Sequence, residues 1–557
     1  MTEEEANSRT NSRHPGHATR RDVLRGAVAA SLATAAGSAV RGMEADGTLS
    51  RPVRTDSNPV GAENSRPGHR EWQLTRFTLD RLGGQRSASI EGYCSKQSVT
   101  AGETIEFMVS TDPAAPFQIE IFRMGYYGGA GARLVRTIGP LDGLPQPLPE
   151  VGAGRLRECR WKASAELMIP GDWTSGVYLG RLTTLSDVGG TGYRQSYVIF
   201  IVRDDRRADV VFQCSDNTWQ AYNQWPDAYS FYTDPRAGHA AGVSVSFDRP
   251  YAKFPLLFDA PHTIGSGEFL LWEYPLCYWL EQQGYDVTYC SNSDVLAAAS
   301  VTRARAFLSV GHDEYWDLRQ FEALRQGVRD GTSLLFLSAN TAYMMSPFTR
   351  AADGRANRVI TRSGPFGPLS EAERSTYAEV LGPFDEVGPD EGELIGARTT
   401  VPFNGCGDWI CTRPNHWMFD GTGMRQGDRI RGLVGWEFHG DPADIPGLEI
   451  VGEGPVHSDV AYAPGAVKNR GHLAGRWTAT IYPGPQDNFV FNASTIWWAQ
   501  ALASPPGHVL PWAHWSRPHG PDERVQNITR NLLARAGATT HSDQPKAPEN
   551  KRTAPDK

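Results

Sequence analysis

The stretch "RAFLSVGHDEYWDLRQFEALRQGVRDGTSLLFLSAN", residues 305–340, decides the fold class of this chain. Two continuous apolar runs, "RAFLSV" and "TSLLFLSAN", flank a segment in which apolar residues recur at helical spacing. Such runs are typical of strands covered on both faces, and a helix between two of them predicts parallel pairing. "ADVVFQC" at 208–214 and "DVTYC" at 286–290 add further strands, so we expect an α/β core with a mostly parallel sheet.

Polar side chains follow two of these strands at the point where each one ends. "GHDEYW", residues 311–316, comes directly after the first apolar run, and Asn340 ends the second. In parallel α/β sheets, ligands bind beyond the carboxyl ends of the strands. The sequence therefore predicts a functional site at this edge, built from imidazole, carboxylate and phenol groups.

The motif has three interpretations from the residues alone. A hydrolase elbow needs Ser or Cys at the turn, and the chain contains no G-x-S-x-G, which argues against a Ser or Cys triad. A metal site is compatible with the mixture of His, acid and Tyr side chains. The third interpretation is structural: Asp313 or Asp317 caps a helix that begins near Trp316, and Tyr315 packs on its first turn.

Working outward from the core, the chain divides into regions of different pattern. In residues 71–205, segments such as "FQIEIFRMGYYGG" alternate apolar and polar residues, which predicts an Ig-like β-sandwich. Residues 206–538 are expected to form the α/β domain, with a β-rich C-terminal part. Residues 43–70 and 539–557 lack apolar periodicity and are predicted to be a disordered linker and tail.

The first 42 residues have the order of an export signal. Arg20 and Arg21 precede a mild Ala, Gly and Val stretch that ends in small residues. This order predicts a twin-arginine signal and a periplasmic or extracellular protein. The stretch is too short and too rich in alanine to span a membrane, so no stable membrane insertion is expected after signal removal.

Charge and cysteine content narrow the function classes. The net charge of −8 and the lack of a basic run in the folded part argue against a nucleic-acid partner. Seven cysteines show no zinc spacing. Cys406 and Cys411 could close a small disulfide loop, and Cys94 and Cys159 could also pair, but the sequence leaves the pairing open and the odd count leaves at least one thiol free in a monomer.

A set of motifs, in order between about residues 88 and 537, resembles the large (β) subunit of N,N-dimethylformamidase and its exported relatives. The motifs are "IFRMGYYGGAGARLV", "TWQAYNQW", "SVSFDRPY", "EYPLCYWLEQQGYDVTYC", "FLSVGHDEYW", "FLSAN" and "GLVGWEFHGD". The resemblance implies a mononuclear Fe³⁺ ion held by two tyrosines and one glutamate. It also implies a core domain like that of class I glutamine amidotransferases and a small partner subunit.

Carried onto this sequence, the resemblance makes Tyr315 of "HDEYW" and Glu437 of "GWEF" iron ligands. Tyr274 of "EYP" matches the second tyrosine, and Tyr278 is the alternative at helical i+4 spacing on the same face. A phenol binds as phenolate only when a strong Lewis acid displaces its proton. Two phenolates and one carboxylate neutralise a trivalent ion.

The implied activity is hydrolysis of a C–N bond in a small amide-like substrate. The metal would polarise the carbonyl and activate water. His312, Glu314 and His439 are the candidate catalytic acids or bases, since each is close in sequence to a predicted ligand. Asn217 and Asn340, which follow predicted strands, are expected to bind substrate.

Two departures from the dimethylformamidase pattern concern location and substrate. The chain carries an export signal, and Asp313 stands where the dimethylformamidase motif has Pro. The sequence leaves two assemblies open, one with a small partner subunit and one that is a homo-oligomer. The alternative function is an exported ligand- or glycan-binding protein with a degenerate metal site, for which the 16 tryptophans would supply aromatic contacts.

Overall fold

The structure, a computed structural model, describes most of the chain after residue 57. The described residues are 58–540, apart from gaps at 78–83, 189, 191, 228, 233–243, 254–260, 375–383, 385, 404, 459–460, 464–465, 469–472 and 511–519. The predicted signal, the first part of the linker (43–57) and nearly all of the predicted tail lie outside the described residues.

The region after residue 90 consists of two antiparallel-rich sheets that share one hydrophobic cluster. In the strand Phe117–Met124, the apolar residues Phe117, Ile119 and Ile121 are buried, whereas the polar residues between them are partly exposed. This alternation is what a sheet with one covered face requires. The eight strands are β1 Glu91–Cys94, β2 Ser98–Val99, β3 Thr104–Ser110, β4 Phe117–Met124, β5 Ala132–Leu141, β6 Ala165–Met168, β7 Gly176–Thr184 and β8 Gln195–Val202.

The two sheets have the strand orders β1-β3-β6 and β2-β8-β7-β4-β5. Their buried residues, among them Phe107 from β3 and Phe200 from β8, pack edge to face with ring centroids 5.9 Å apart. The β-rich N-terminal region expected from the alternating pattern is therefore observed.

The rest of the chain is built on a nine-stranded sheet and several small sheets. The strands are β9 Ala208–Gln213, β10 Ser244–Ser246, β11 Val287–Cys290, β12 Ala304–His312, β13 Tyr315–Trp316, β14 Ser333–Ala339, β15 Met344–Met345, β16 Phe348–Thr349, β17 Val359–Thr361, β18 Gly364–Pro365, β19 Ala397–Thr399, β20 Gly405–Ile410, β21 Arg429–Trp436, β22 His439–Pro442, β23 Glu449–Ser458, β24 Ala461–Ala463, β25 Ala466–Lys468, β26 Leu473–Pro483 and β27 Phe489–Asn492.

The nine-stranded sheet is mixed, which corrects the expectation of a mostly parallel one. Its order is β11-β9-β12-β14-β27-β26-β23-β20-β21. The pairs from β11 to β27 are parallel, and those from β27 to β21 are antiparallel. β26 and β27 are joined by only five residues, 484–488, and so short a connection allows antiparallel pairing alone. The predicted β-rich C-terminal part is thus a continuation of the core sheet.

The helices are few and mostly short. They are α1 Pro59–Asn64, α2 Asp216–Tyr222, α3 Phe269–Trp272, α4 Tyr274–Gln282, α5 Ala299–Thr302, α6 Leu318–Arg329, α7 Gly392–Ile395 and α8 Glu523–Ala536. No helix among the described residues is long and apolar enough to cross a membrane.

Helix α6 joins β12 to the parallel strand β14, as the sequence predicts. Asp317 is its N-cap, and its carboxylate accepts a hydrogen bond from the backbone N–H of Arg319 at 2.8 Å. Asp313 does not cap this helix. Its carboxylate is buried and accepts hydrogen bonds from Ser309 and Gln213 instead.

The segment 58–70 is ordered, contrary to the linker prediction. Asn58 caps α1 through a hydrogen bond to the N–H of Gly61, and Glu63 of this helix is buried. The carboxylate of Glu63 accepts hydrogen bonds from Tyr127 and Arg133. Paired charges of this kind carry no apolar periodicity, so the pattern did not reveal the ordered helix. Residues from Asn58 onward form one compact unit, and the expected boundary at residue 205 stays a prediction.

Neither of these two possible disulfides is formed. Cys406 lies in β20 and Cys411 follows its last residue. Five residues of extended strand span about 16 Å, whereas a disulfide requires Cα atoms less than about 7 Å apart. Cys94 and Cys159 are both buried as free thiols.

Candidate functional site

The end of β12 turns sharply into the "HDEYW" motif. Gly311 has φ +69°, and a Cβ atom at this position would lie 2.6 Å from the Cβ of Trp272. Only glycine adopts this conformation in so close an approach without strain. The turn places His312, Glu314 and Tyr315 at the carboxyl edge of the parallel strands, where the sequence predicted a site.

Glu314 is the centre of a cluster of buried polar groups. Its Oε2 accepts a hydrogen bond from the hydroxyl of Tyr222 at 2.7 Å, and its Oε1 accepts one from Tyr232 at 3.0 Å. Nε2 of His312 lies 3.3 Å from Oε2. Burial raises the pKa of Glu314, and the contact with His312 opposes this shift only in part. The carboxyl therefore takes up a proton more readily than a surface carboxylate does.

Two tyrosine hydroxyls meet beside this carboxylate. Tyr315 and Tyr232 are hydrogen-bonded to each other through their phenol oxygens. Both rings pack against Tyr222, with centroid distances of 6.0 and 5.0 Å. Burial raises the pKa of Tyr315 well above its usual value, and the positive charge of Arg362 acts against this. The phenol of Tyr315 is thus neutral unless a cation compensates its charge.

Glu437 reaches the same cluster from the other half of the sheet. It lies between β21 and β22, and its Oε2 is 2.7 Å from Nε2 of His312. This is a charge contact without hydrogen-bond geometry. Burial lowers the pKa of His312, but Glu437 and Glu314 outweigh burial, so the pKa is raised well above its usual value.

Arg362 supplies a second positive charge. Its guanidinium lies over the ring of Tyr232, 5.6 Å from the centroid. Burial lowers the pKa of Arg362, while Tyr315 and Glu314 raise it. The cluster therefore combines two carboxylates, an imidazole, a guanidinium and three phenols.

The structure does not bring Tyr274 or Tyr278 to Tyr315. The hydroxyl of Tyr274 donates a hydrogen bond to the carbonyl of Gly131 at 2.9 Å, and its ring packs on Trp72. Tyr278 packs against Tyr126. The start of α4 faces the N-terminal sheets. The match at "EYP" therefore selected a tyrosine whose side chain lies away from Tyr315. Tyr232 is the tyrosine that meets Tyr315.

His439 is held in a structural arrangement. Its Nε2 accepts a hydrogen bond from the backbone N–H of Thr341 at 3.1 Å, and its Nδ1 lies 2.8 Å from the amide oxygen of Asn492. This pattern requires the tautomer with the proton on Nδ1. Both ring nitrogens are engaged, which leaves none for proton transfer and corrects the expectation of a catalytic role.

The two predicted substrate-binding asparagines have different surroundings. Asn340 follows β14, has φ +51° and is buried, and its Oδ1 has no hydrogen-bond partner among the described residues. Asn217 is also buried, and its Nδ2 donates a hydrogen bond to the backbone carbonyl of Tyr315 at 3.0 Å.

Sequence reasoning missed Tyr232 and Arg362. Tyr232 lies outside the helices and strands in "YSFY", residues 229–232, and Arg362 directly follows β17. Neither position has a periodicity that predicts its direction. Tyr222 lies in the motif "TWQAYNQW" after β9, so its location at a strand end was the one available signal.

The donor set fits a hard trivalent cation better than zinc. Among the described residues, no group of three or more His, Cys, Asp and Glu side chains is arranged to hold a metal ion. The oxygens that converge here belong to Tyr232, Tyr315 and the two carboxylates. Oε2 of Glu437 is buried and makes no hydrogen bond among the described residues, and its neighbour at 2.7 Å is Nε2 of His312, so this carboxylate oxygen already lies where positive charge is favoured.

Comparison with known proteins identifies a family. A family model described as "N,N-dimethylformamidase beta subunit-like, C-terminal" matches residues 118–511, more than two thirds of the chain. No curated protein matches the chain. The matched range contains all the residues of the cluster around Glu314, and the family predicted from the motifs is confirmed.

Proposed function

Because the chain belongs to the N,N-dimethylformamidase beta subunit-like family, we propose that it is an iron-dependent hydrolase of C–N bonds in small amides. The observation that carries the proposal is the convergence of Tyr232, Tyr315, Glu314, Glu437 and His312 in one buried cluster. The reaction adds water to the amide, breaks the C–N bond and yields a carboxylic acid and an amine.

Tyr315, Tyr232 and Glu437 would hold the iron, with Tyr232 in place of the expected Tyr274. When bound, Fe³⁺ supplies the Lewis acidity that polarises an amide carbonyl and promotes the ionisation of water. Two phenolates and one carboxylate balance its three positive charges. The remaining carboxylate, Glu314, is balanced by Arg362, and the proton on His312 is the one positive charge left over, available for transfer to the substrate.

Glu314 and His312 are the proposed proton carriers. Glu314 would accept the proton of the attacking water on a carboxylate oxygen, which its raised pKa favours. His312 would hold a proton at Nε2, next to Glu314 and Glu437, and donate it to the departing amine nitrogen. Burial of both groups excludes bulk water from the transfer.

We also propose that the core domain resembles that of class I glutamine amidotransferases. The five parallel strands, from β11 to β27, support this likeness. The two sheets before them support an Ig-like sandwich. We also propose export through the twin-arginine segment, a location outside the cytoplasm, and assembly with a small partner subunit or as a homo-oligomer. No nucleic-acid partner is proposed.

A sugar-binding function receives little support from the tryptophans. Twelve of the sixteen are buried in the described structure. Sugar recognition by stacking needs exposed ring faces, whereas these rings pack inside the hydrophobic clusters.

The proposal is tested by amine release from N-alkyl formamides and acetamides, with iron-loaded and metal-free protein. We expect hydrolysis only with iron, and Glu314→Gln should lower kcat by about 10² to 10⁴. Glu391→Gln is the control, since Glu391 is equally buried but pairs with Arg398 outside the cluster. Full activity of Glu314→Gln, or no amine release from any amide with iron-loaded protein, would contradict the proposal.

A further inference from the structure

Helix α2 lies against the "HDEYW" motif and bonds to it at three places. The amide of Asn217 donates to the backbone carbonyl of Tyr315 at 3.0 Å. The hydroxyl of Thr218 accepts from the backbone N–H of Glu314 at 2.9 Å, and Tyr222 donates to the Glu314 carboxylate. One seven-residue helix thus contacts both the backbone and the side chains of the motif.

The start of α2 is itself fixed by Asn292. The side-chain oxygen of Asn292 accepts from the backbone N–H of Asn217 at 3.0 Å, and its backbone N–H donates to Asp216 at 2.8 Å. The amide of Asn292 also donates to Asp313 at 3.2 Å. All four side chains are buried. Asn292 therefore links the helix start and the motif in a single network.

The bond from Asn217 reaches the one carbonyl of this short strand that is directed away from β15. The carbonyls of Glu314 and Trp316 accept backbone hydrogen bonds from Met344 and Ser346, whereas the carbonyl of Tyr315 accepts from the amide of Asn217. The position of a phenol oxygen depends on its backbone, because the ring is rigid and two torsions connect it to Cα. Anchoring the carbonyl of Tyr315 hence fixes where its hydroxyl meets Tyr232.

We propose that Asn217, held by Asn292, is a positioning residue that sets the orientation of Tyr315 in the candidate site. This role is distinct from the expected substrate contact of Asn217, since it uses the amide N–H that bonds to the carbonyl of Tyr315. The inference rests on the proposed function for its kinetic consequence, but its structural consequence is independent of iron.

The structural arm of the test is amide hydrogen exchange in the full-length, metal-free chain. In Asn217→Ala, we expect peptides that cover residues 312–317 to exchange about fivefold faster than in wild type, because a hydrogen bond of about 1 kcal/mol is lost. Asn223→Ala is the control. Asn223 is buried at the end of the same helix and donates to Pro250 at 2.9 Å, away from the motif.

The functional arm uses the iron-loaded chain. Asn217→Ala should shift the tyrosinate-to-iron absorption band and lower kcat about tenfold with KM unchanged, since misplacement affects the reacting groups and not substrate affinity. Asn292→Ala should act in the same direction. Asn223→Ala should change neither the absorption band nor kcat, even if its melting temperature falls as much as that of Asn217→Ala.

The two arms separate failure of this inference from failure of the proposed function. Unchanged exchange at residues 312–317 in both Asn217→Ala and Asn292→Ala would overturn the positioning role, whatever the activity. Faster exchange at these residues in the two variants would support the positioning role. If wild type at the same time binds no iron and releases no amine, the proposed function is contradicted.

Discussion

Glu314 is the residue on which the polar contacts of the candidate site converge. Two phenols donate to it, and His312 lies beside it. Burial of a carboxylate is costly unless partners compensate its charge, and clusters of buried ionisable groups are typical of sites where a charge is moved or bound. The same cost explains why Arg362 and His312, both cationic, are found around it.

Asp216 gives a residue-scale prediction about pH. Burial raises its pKa to about 8, whereas the unfolded chain ionises near pH 4. Folding therefore opposes ionisation, so the contribution of this group is greatest below pH 4 and is lost as the pH rises to 8. From pH 5.5 to pH 8.5, the free energy of unfolding of wild type should fall by about 3 kcal/mol relative to that of Asp216→Asn.

Urea denaturation of the two proteins at several pH values measures this difference. The asparagine keeps an acceptor for the N–H of Asn292, so the comparison isolates the charge. A difference in unfolding free energy that does not change with pH would show that Asp216 is already ionised in the folded protein.

The sequence located part of this site. His312, Glu314 and Tyr315 were predictable because a strand end in a parallel sheet is a binding edge, and Glu437 from its motif. Tyr232 was not, because its segment has no periodicity and its direction depends on distant packing. Tyr274 was misassigned, since its helical spacing could not show which neighbour the start of α4 faces.

At the scale of elements, the site depends on the turn that ends β12. Gly311→Ala would force a positive φ on alanine and place its Cβ against Trp272. We expect a loss of about 3 kcal/mol of stability, with displacement of His312 and loss of activity.

Gly421→Ala is the matched control for this glycine. Gly421 has φ +72° and open space around its Cβ position. Gly421→Ala should therefore lose only the stability that a positive φ costs alanine, about 1 kcal/mol. Thermal denaturation compares the two variants. Equal losses would mean that the contact with Trp272 does not determine the turn.

The element types were also partly predictable. The βαβ unit through β12, α6 and β14, including the Asp317 cap, is as the pattern indicates. The antiparallel half of the sheet was not foreseen as its continuation, because strand order across long insertions is set by packing and not by local pattern.

At the scale of the whole molecule, buried charges join the N-terminal sheets to the core. Arg123 of β4 pairs with Glu281 of α4 at 2.8 Å, and neither side chain is exposed. Asn64 of the N-terminal helix donates to the same carboxylate at 2.7 Å. The N-terminal sheets, the core and the N-terminal helix thus meet at the carboxylate of Glu281. The sequence did not indicate this contact.

Glu281→Gln should cost about 3 to 5 kcal/mol of stability, since it leaves Arg123 buried without its counter-charge. The control is Glu449→Gln. Glu449 pairs with Arg413 at the same 2.8 Å, but the two side chains are 40% and 54% exposed, so the loss should be below about 1 kcal/mol. Chemical denaturation of both variants measures the two losses, and a similar small loss for Glu281→Gln would refute this account of the contact.

The central claim, that Tyr315 and Tyr232 with Glu437 hold iron, is tested most directly by the visible spectrum and iron content of the purified protein. Wild type and Tyr274→Phe should contain about one iron per chain and show a tyrosinate-to-iron band. Tyr315→Phe and Tyr232→Phe should lose the band or shift it strongly. A band that survives unchanged in both of these variants, or disappears in Tyr274→Phe, would contradict the claim.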